Sequence, residues 1–132
     1  MRITGFYAAM SALLVLLLAV RVMLQRRASS IGIGDGGDRE LLKRIRVHAN
    51  AIEYLPIALI LLLIVELNQT QPMIVHVAGI TIVLGRILHA SGFSRSSGTS
   101  SGRIVGTLLT LLVIIALSLL LLWQYLGSLL LT

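Results

Sequence analysis

One stretch decides the fold: Arg46-Val47-His48-Ala49-Asn50-Ala51-Ile52-Glu53-Tyr54-Leu55-Pro56, followed at once by the purely apolar run Ile57–Val65. Polar side chains therefore stand at the mouth of a segment composed like a membrane-spanning helix. An ionised side chain at membrane depth costs roughly 2.5–3.5 kcal/mol on insertion scales, so by default it indicates a functional residue with a partner. At about 100° per residue, Arg46, Asn50 and Glu53 fall within roughly one 60° sector of a helix. A cation, an amide and a carboxylate on one face predict a binding site.

The composition supports a membrane setting for the whole chain. Of its 132 residues, 57% are hydrophobic and 12% are charged, and the mean hydropathy is +0.98. Soluble domains carry about 25% charged residues. Four spans of about 20 residues with short loops would use nearly all of this length. The sequence therefore predicts an all-α, single-domain transmembrane four-helix bundle over residues 1–132, with no room for a separate soluble catalytic domain.

The four apolar runs have recognisable boundaries. The pattern predicts helices over about residues 5–25, 44–67, 73–93 and 103–127. Pro72 is well placed to start the third helix, and the Ser/Gly-rich segment Ser94–Gly102 predicts a flexible connection. Glu66, at the far end of the second helix, is expected to be solvated.

Basic residues set the predicted orientation. Seven lie in Arg21–Arg46 and three more in Arg86–Arg103. The turn between the second and third helices and the C-terminus have none, and Arg2 is the one basic residue on the opposite side. By the positive-inside rule, both basic loops face the cytoplasm and both termini face outward. The formal charge of +6 is thus explained by cytoplasmic loops rather than by nucleic-acid binding.

Four arginines lie at the inner ends of the four helices: Arg21, Arg46, Arg86 and Arg103. Arginine near a helix end commonly extends to lipid headgroups. Four of them converging beside Asn50 and Glu53 favour a site for an anionic ligand, because guanidinium groups bind carboxylates with two hydrogen bonds. Glu53 would then hold an ammonium or amide group of the ligand, the alternative being a plain Arg–Glu pair.

The histidines, the glycines and the lack of cysteine lead to further predictions. His89 shares a helix face with Arg86 and is open to two interpretations, a ligand contact or an interhelical hydrogen bond. No two histidines have ligand spacing on one helix face, so no metal site is predicted. The absence of cysteine excludes a protein thiol as nucleophile. Gly102 and Gly106 form a small-xxx-small pattern that predicts close helix packing.

Three motifs together carry a family resemblance. Arg46-x-His48-x-Asn50-x-x-Glu53-Tyr54-x-Pro56 resembles the second-helix signature of the MAPEG superfamily (membrane-associated proteins in eicosanoid and glutathione metabolism). Gly34-Asp35-Gly36-Gly37 and the run Arg46–Asn50 look like its bacterial branch. Gly85-Arg86-x-x-His89-x-x-x-Phe93 is similar to the third-helix motif of the prostaglandin E synthase members. The resemblance covers essentially the whole chain.

This resemblance implies a homotrimer of four-helix subunits in a bacterial inner membrane, similar to microsomal glutathione transferases, with both termini periplasmic. It implies that glutathione binds between neighbouring subunits near the cytoplasmic face. Arg46, Asn50 and Glu53 would bind glutathione, and Arg103 would stabilise its thiolate. The same pocket would also be lined by Arg21, Tyr54, Arg86 and His89. The thiolate would attack a lipophilic electrophile arriving from the membrane lipids, or reduce a lipid hydroperoxide.

Three residues depart from the eicosanoid enzymes. Phe93 stands where these enzymes usually have tyrosine, Thr107 stands where the prostaglandin enzymes have a ring hydroxyl, and Ala49 replaces a further arginine. A general detoxifying transferase is therefore favoured over an eicosanoid synthase, and the thiol is left open between glutathione and another small bacterial thiol. The alternatives are a non-catalytic member that binds lipid or a partner protein, as five-lipoxygenase-activating protein does, and a small multidrug transporter. The first helix lacks the acidic residue that such transporters carry.

Overall fold

The computed structural model of the chain describes residues 2–95 and 101–130. It contains four helices: α1 Arg2–Ser29, α2 Arg39–Leu67, α3 Pro72–Arg95 and α4 Ser101–Leu130. Each helix is long and apolar enough to cross a membrane, and the described ranges contain no strand. The prediction of a transmembrane four-helix bundle is confirmed, including the start of α3 at Pro72. Most of the predicted Ser/Gly connection lies outside the described residues.

The helices extend further into the first loop than the apolar pattern predicts. α1 ends at Ser29 and α2 begins at Arg39, because Asp38 bonds to both helices. Its Oδ2 accepts hydrogen bonds from the side chains of Gln25 (2.8 Å) and Ser29 (2.5 Å). Its Oδ1 accepts from the first backbone amides of α2, which lack partners within the helix. One carboxylate thus joins the end of α1 to the start of α2.

Glu66 is partly exposed, and its carboxylate also has partners in the protein that the sequence did not predict. Its carboxylate accepts hydrogen bonds from the backbone amides of Ile3 (3.2 Å) and Thr4 (2.8 Å), in the first turn of α1. These amides have no partner within their own helix, and the positive end of the helix dipole favours a carboxylate there. Glu66 therefore fastens α1 to α2 at the end of the bundle opposite the basic loops.

The core follows a stripe on α2 with the spacing of a buried helix face. Its members are spaced three or four residues apart and are buried: Val47, Ala51, Leu55, Ala58, Leu62 and Val65. Large apolar side chains on the outer faces of all four helices are exposed. In water this surface would be an aggregation hazard, whereas in a bilayer the acyl chains cover it.

Helices α3 and α4 pack closely through glycine. A Cβ atom at Gly106 would clash with the backbone of Gly85 and His89 on α3, and one at Gly102 would lie 3.2 Å from the carbonyl oxygen of Leu88. The predicted small-xxx-small contact is confirmed. This approach brings the backbone of α4 within hydrogen-bonding distance of α3 side chains, and thereby builds the site described next.

Candidate anion site around Arg86

Arg86 is more deeply buried than the other predicted site arginines, of which Arg21 and Arg46 are exposed and Arg103 is half-buried. It stands nine residues before the end of α3 at Arg95, about 14 Å along the helix axis at 1.5 Å per residue. Arg103 lies two residues from the start of α4, about 3 Å by the same measure. The Arg86 residue is only 2% exposed. Neither water nor headgroups can solvate its guanidinium, so the protein must supply its partners.

Three neutral groups supply those partners. Nε donates to the hydroxyl of Thr110 (3.0 Å), Nη1 donates to Oδ1 of Asn50 (2.6 Å), and Nη2 donates to the carbonyl oxygen of Gly106 (3.1 Å). The guanidinium also lies 5.4 Å from the centre of the Tyr54 ring, within the range of a cation–π contact. The fork of one arginine therefore bonds α3 to both α2 and α4.

No carboxylate in residues 2–95 or 101–130 forms a salt bridge with Arg86. Arginine remains protonated in proteins, so the site carries a buried positive charge that the described residues balance with dipoles and a ring face. Glu53, the nearest acid in the sequence motif, is exposed on α2. Glu53 forms no salt bridge with any arginine of the described residues, so the alternative of a plain Arg–Glu pair is not formed there.

Thr110 was not among the residues that the sequence motifs selected. It is fully buried, accepts the Arg86 Nε–H and donates its own hydroxyl proton to the carbonyl oxygen of Gly106 at 3.0 Å. The available signal was its spacing, one helical turn after Gly106 on the face that packs against α3. A hydroxyl within a leucine-rich run usually bonds to a carbonyl of its own helix. The bond that Thr110 also accepts from Arg86 on another helix could therefore not be predicted from this pattern.

A groove beside this site carries two more of the predicted residues. His89, Arg103 and Thr107 line it together with two apolar side chains, Ile104 and Leu108, and it encloses about 290 Å³. His89 is buried and lies within electrostatic range of both Arg86 and Arg103. The groove therefore combines the cationic side chain of Arg103 with a hydrocarbon wall of exposed apolar residues. The Phe93 side chain lies outside the described residues.

The remaining predicted residues are not gathered into the same pocket of the single chain. Arg46 and Glu53 are exposed on α2, one turn to either side of Asn50. Arg21 lines a separate cleft with Lys43 and Arg44. The structure thus unites Asn50, Tyr54 and Arg86, places His89 and Arg103 in the adjoining groove, and leaves the others on the surface of the bundle.

Comparison with known proteins agrees with the motifs. The model of the MAPEG family matches residues 4–123. Inner membrane protein YecN of Escherichia coli K12 is 41% identical over 91 residues, which are 69% of this chain and 70% of that protein. The protein of the same name from Escherichia coli O6:H1 matches equally well. The chain belongs to the MAPEG family.

Proposed function

We propose that this chain is an integral membrane glutathione transferase of the bacterial inner membrane. It conjugates lipophilic electrophiles, or reduces lipid hydroperoxides, with a thiolate that Arg103 stabilises. The observation that carries the proposal is the guanidinium of Arg86, which is 2% exposed and has only neutral hydrogen-bond partners. An anion bound beside it would supply the missing countercharge, and Coulomb attraction is strong where water is excluded.

Glutathione fits the charges available. It has two carboxylates and one ammonium group, which complement several arginines and one glutamate. The exposed Arg46 and Glu53 flank Asn50, so a ligand seated against this face of α2 could contact all three. A neighbouring subunit of a homotrimer would cover that face. When bound, glutathione supplies the sulfur nucleophile that a chain without cysteine does not have.

The side chains of the groove have distinct roles in this proposal. Arg103 lies beside the reacting sulfur and favours the thiolate over the thiol, as a nearby cation does for cysteine. Arg86 is buried beneath the groove, and its positive charge attracts the bound anion without direct contact. Ile104 and Leu108 on the groove wall admit a lipophilic substrate directly from the bilayer. His89 donates a hydrogen bond to the ligand or keeps the groove in shape.

Thiolate formation tests the proposal. Glutathione added to the purified protein at neutral pH should produce thiolate absorbance in the ultraviolet. Because a cation within about 4–6 Å lowers an acid's pKa by 1–3, Arg103→Ala should reduce the bound thiolate at least tenfold. Arg27→Ala is the matched control, since Arg27 is an exposed arginine near the end of α1. Equal absorbance in wild type and Arg103→Ala would refute the assigned role.

Thr107 favours a second candidate function. It lines the groove beside Arg103, where the prostaglandin enzymes have a ring hydroxyl, and a member without that group could bind lipid or a partner protein without catalysis. Calorimetric titration of glutathione, with Glu53→Ala as the control, separates the two. Glutathione binding that weakens in the variant supports the transferase, and no heat of binding in either protein supports the non-catalytic member.

A further inference from the structure

We propose that a cleft at the basic end of the bundle binds the phosphate group of an anionic glycerophospholipid. The cleft lies between α1, α2 and α3, and Arg21, Lys43 and Arg44 line it together with Glu40. This site is separate from the groove of His89 and Arg103, and it does not depend on the proposed transferase activity.

The depth of the cleft matches the headgroup layer. Arg21 lies 19 residues after Arg2, the first residue of α1, which corresponds to about 29 Å along the helix. The hydrocarbon core of a bilayer is about 30 Å thick. Lys43 and Arg44 lie in the first two turns of α2. The three cations therefore stand close to the boundary where lipid phosphates are found.

The cleft has a surplus of positive charge and a partly fixed geometry. Arg44 donates from Nε to Glu40 Oε1 (3.0 Å) and from Nη1 to the backbone carbonyl of Arg21 (3.2 Å). Lys43 Nζ is 3.9 Å from the same carboxylate of Glu40. Three cations and one carboxylate leave a formal surplus of two positive charges. Within the described residues, the guanidinium of Arg21 forms no salt bridge.

Apolar side chains adjoin the cations on the membrane side. Leu18 and Val47 form the buried floor of the cleft, and Leu17, one helical turn below Arg21, is 57% exposed. A phosphate held by the cations would therefore leave an acyl chain to lie along α1 against Leu17. Basic pockets between transmembrane helices bind anionic headgroups in this manner. A free anion would use the cations alone, whereas a lipid uses both surfaces.

The test compares lipids on the full-length protein in a mild detergent. Native mass spectrometry is used to measure bound phosphatidylglycerol, with phosphatidylcholine and inorganic phosphate as the other two arms. Lys43→Gln/Arg44→Gln should weaken phosphatidylglycerol binding about 25-fold, at roughly fivefold for each cation. The matched control is Arg27→Gln/Arg39→Gln, which removes the same charge from exposed positions outside the cleft and should leave binding within about twofold.

Four results would overturn the proposal. An equal loss in the control variant would mean that diffuse surface charge attracts the lipid. Equal binding of phosphatidylcholine, or displacement of the lipid by millimolar inorganic phosphate, would mean that the cleft does not select an anionic lipid. If the double variant does not fold, Lys43→Gln alone is decisive, because its only ion-pair contact in the described chain is the long one to Glu40. It should weaken binding about fivefold, and unchanged binding would refute the site.

Discussion

Replacing Thr110 by valine tests whether this hydroxyl holds Arg86 in place. Valine keeps the shape of threonine but removes the acceptor for Arg86 Nε and the donor to the Gly106 carbonyl. A hydrogen bond to a charged group contributes roughly 1.5–3 kcal/mol in soluble proteins. Interhelical polar contacts in membranes average about 0.6 kcal/mol and reach about 1.7 kcal/mol. Because Arg86 is charged and 2% exposed, we expect a cost near the upper membrane value, about 1.5 kcal/mol.

A double-mutant cycle isolates that contribution. The free energy of unfolding is measured for wild type, Thr110→Val, Arg86→Met and the double variant, by sodium dodecyl sulfate titration of micelles followed by helical circular dichroism. We expect a coupling energy of about 1–1.5 kcal/mol between the two positions. Thr81→Val is the matched control, since the Thr81 hydroxyl donates to the carbonyl oxygen of Val77 in its own helix and bonds to no other helix in the described part of the chain. Its coupling to Arg86→Met should stay below about 0.5 kcal/mol.

The cycle has a clear refuting result. If Thr110→Val couples to Arg86→Met no more strongly than Thr81→Val does, then Thr110 does not hold the guanidinium. The contact between Nε and the hydroxyl would then be incidental, and Asn50 and Gly106 alone would fix Arg86.

Two further predictions concern the helix contacts and the first loop. Gly106→Ala places a methyl group against the backbone of α3 and should destabilise the fold by about 1–3 kcal/mol in the same titration. Gly127→Ala is the control, because its methyl group meets open space on α4, and it should stabilise the fold by about 0.5–1 kcal/mol. Equal effects of the two substitutions would refute the close approach of α3 and α4. Hydrogen bonds from Ser29 and Gln25, followed by those from backbone amides of α2, hold the pKa of Asp38 well below its ordinary value of 3.8. The stabilisation by the Asp38 carboxylate is therefore fully present above about pH 4 and is lost as the pH falls further. The free energy of unfolding, measured from pH 6 down to pH 3, should decline less in Asp38→Asn than in wild type. Parallel declines in the two proteins would contradict the hydrogen bonds of Asp38 in the loop.

The fold was predictable because hydrocarbon runs and membrane thickness are properties of sequence alone. Four apolar runs and Pro72 were sufficient to place the helices. The ends of α1 and α2 were not predictable to the residue, since Asp38 lengthens both helices through side-chain contacts. The hydrogen bonds of Glu66 to α1 were not predicted, for the same kind of reason. Its partners lie 62 and 63 residues away on α1, and no local pattern reveals that contact.

The candidate site was predictable in its motif residues but not in its arrangement. Helical periodicity placed Asn50 on a functional face, and it does contact Arg86. The same periodicity grouped Arg46 with it, yet Arg46 remains exposed, because a 60° sector spans both the edge and the centre of a helix contact. Arg21 lies towards the basic end of its helix, as the other predicted site arginines do, but it lines a different cleft. Sharing a membrane depth does not determine which neighbours a long side chain meets.

The depth of each arginine connects the two proposals. Arg21 and Arg44 line an open cleft that we place at the headgroup boundary, where phosphate and water would balance their charge. Arg86, which is only 2% exposed, has no such access and is held by three neutral acceptors. Neutral partners fix its position without cancelling its charge. A lysine at this position could not replace it, because a single ammonium lacks the planar fork that reaches α2 and α4 together. Under the two proposals, the buried cation attracts an anion into the groove of Arg103, and the cations of the cleft bind the phosphate of a lipid.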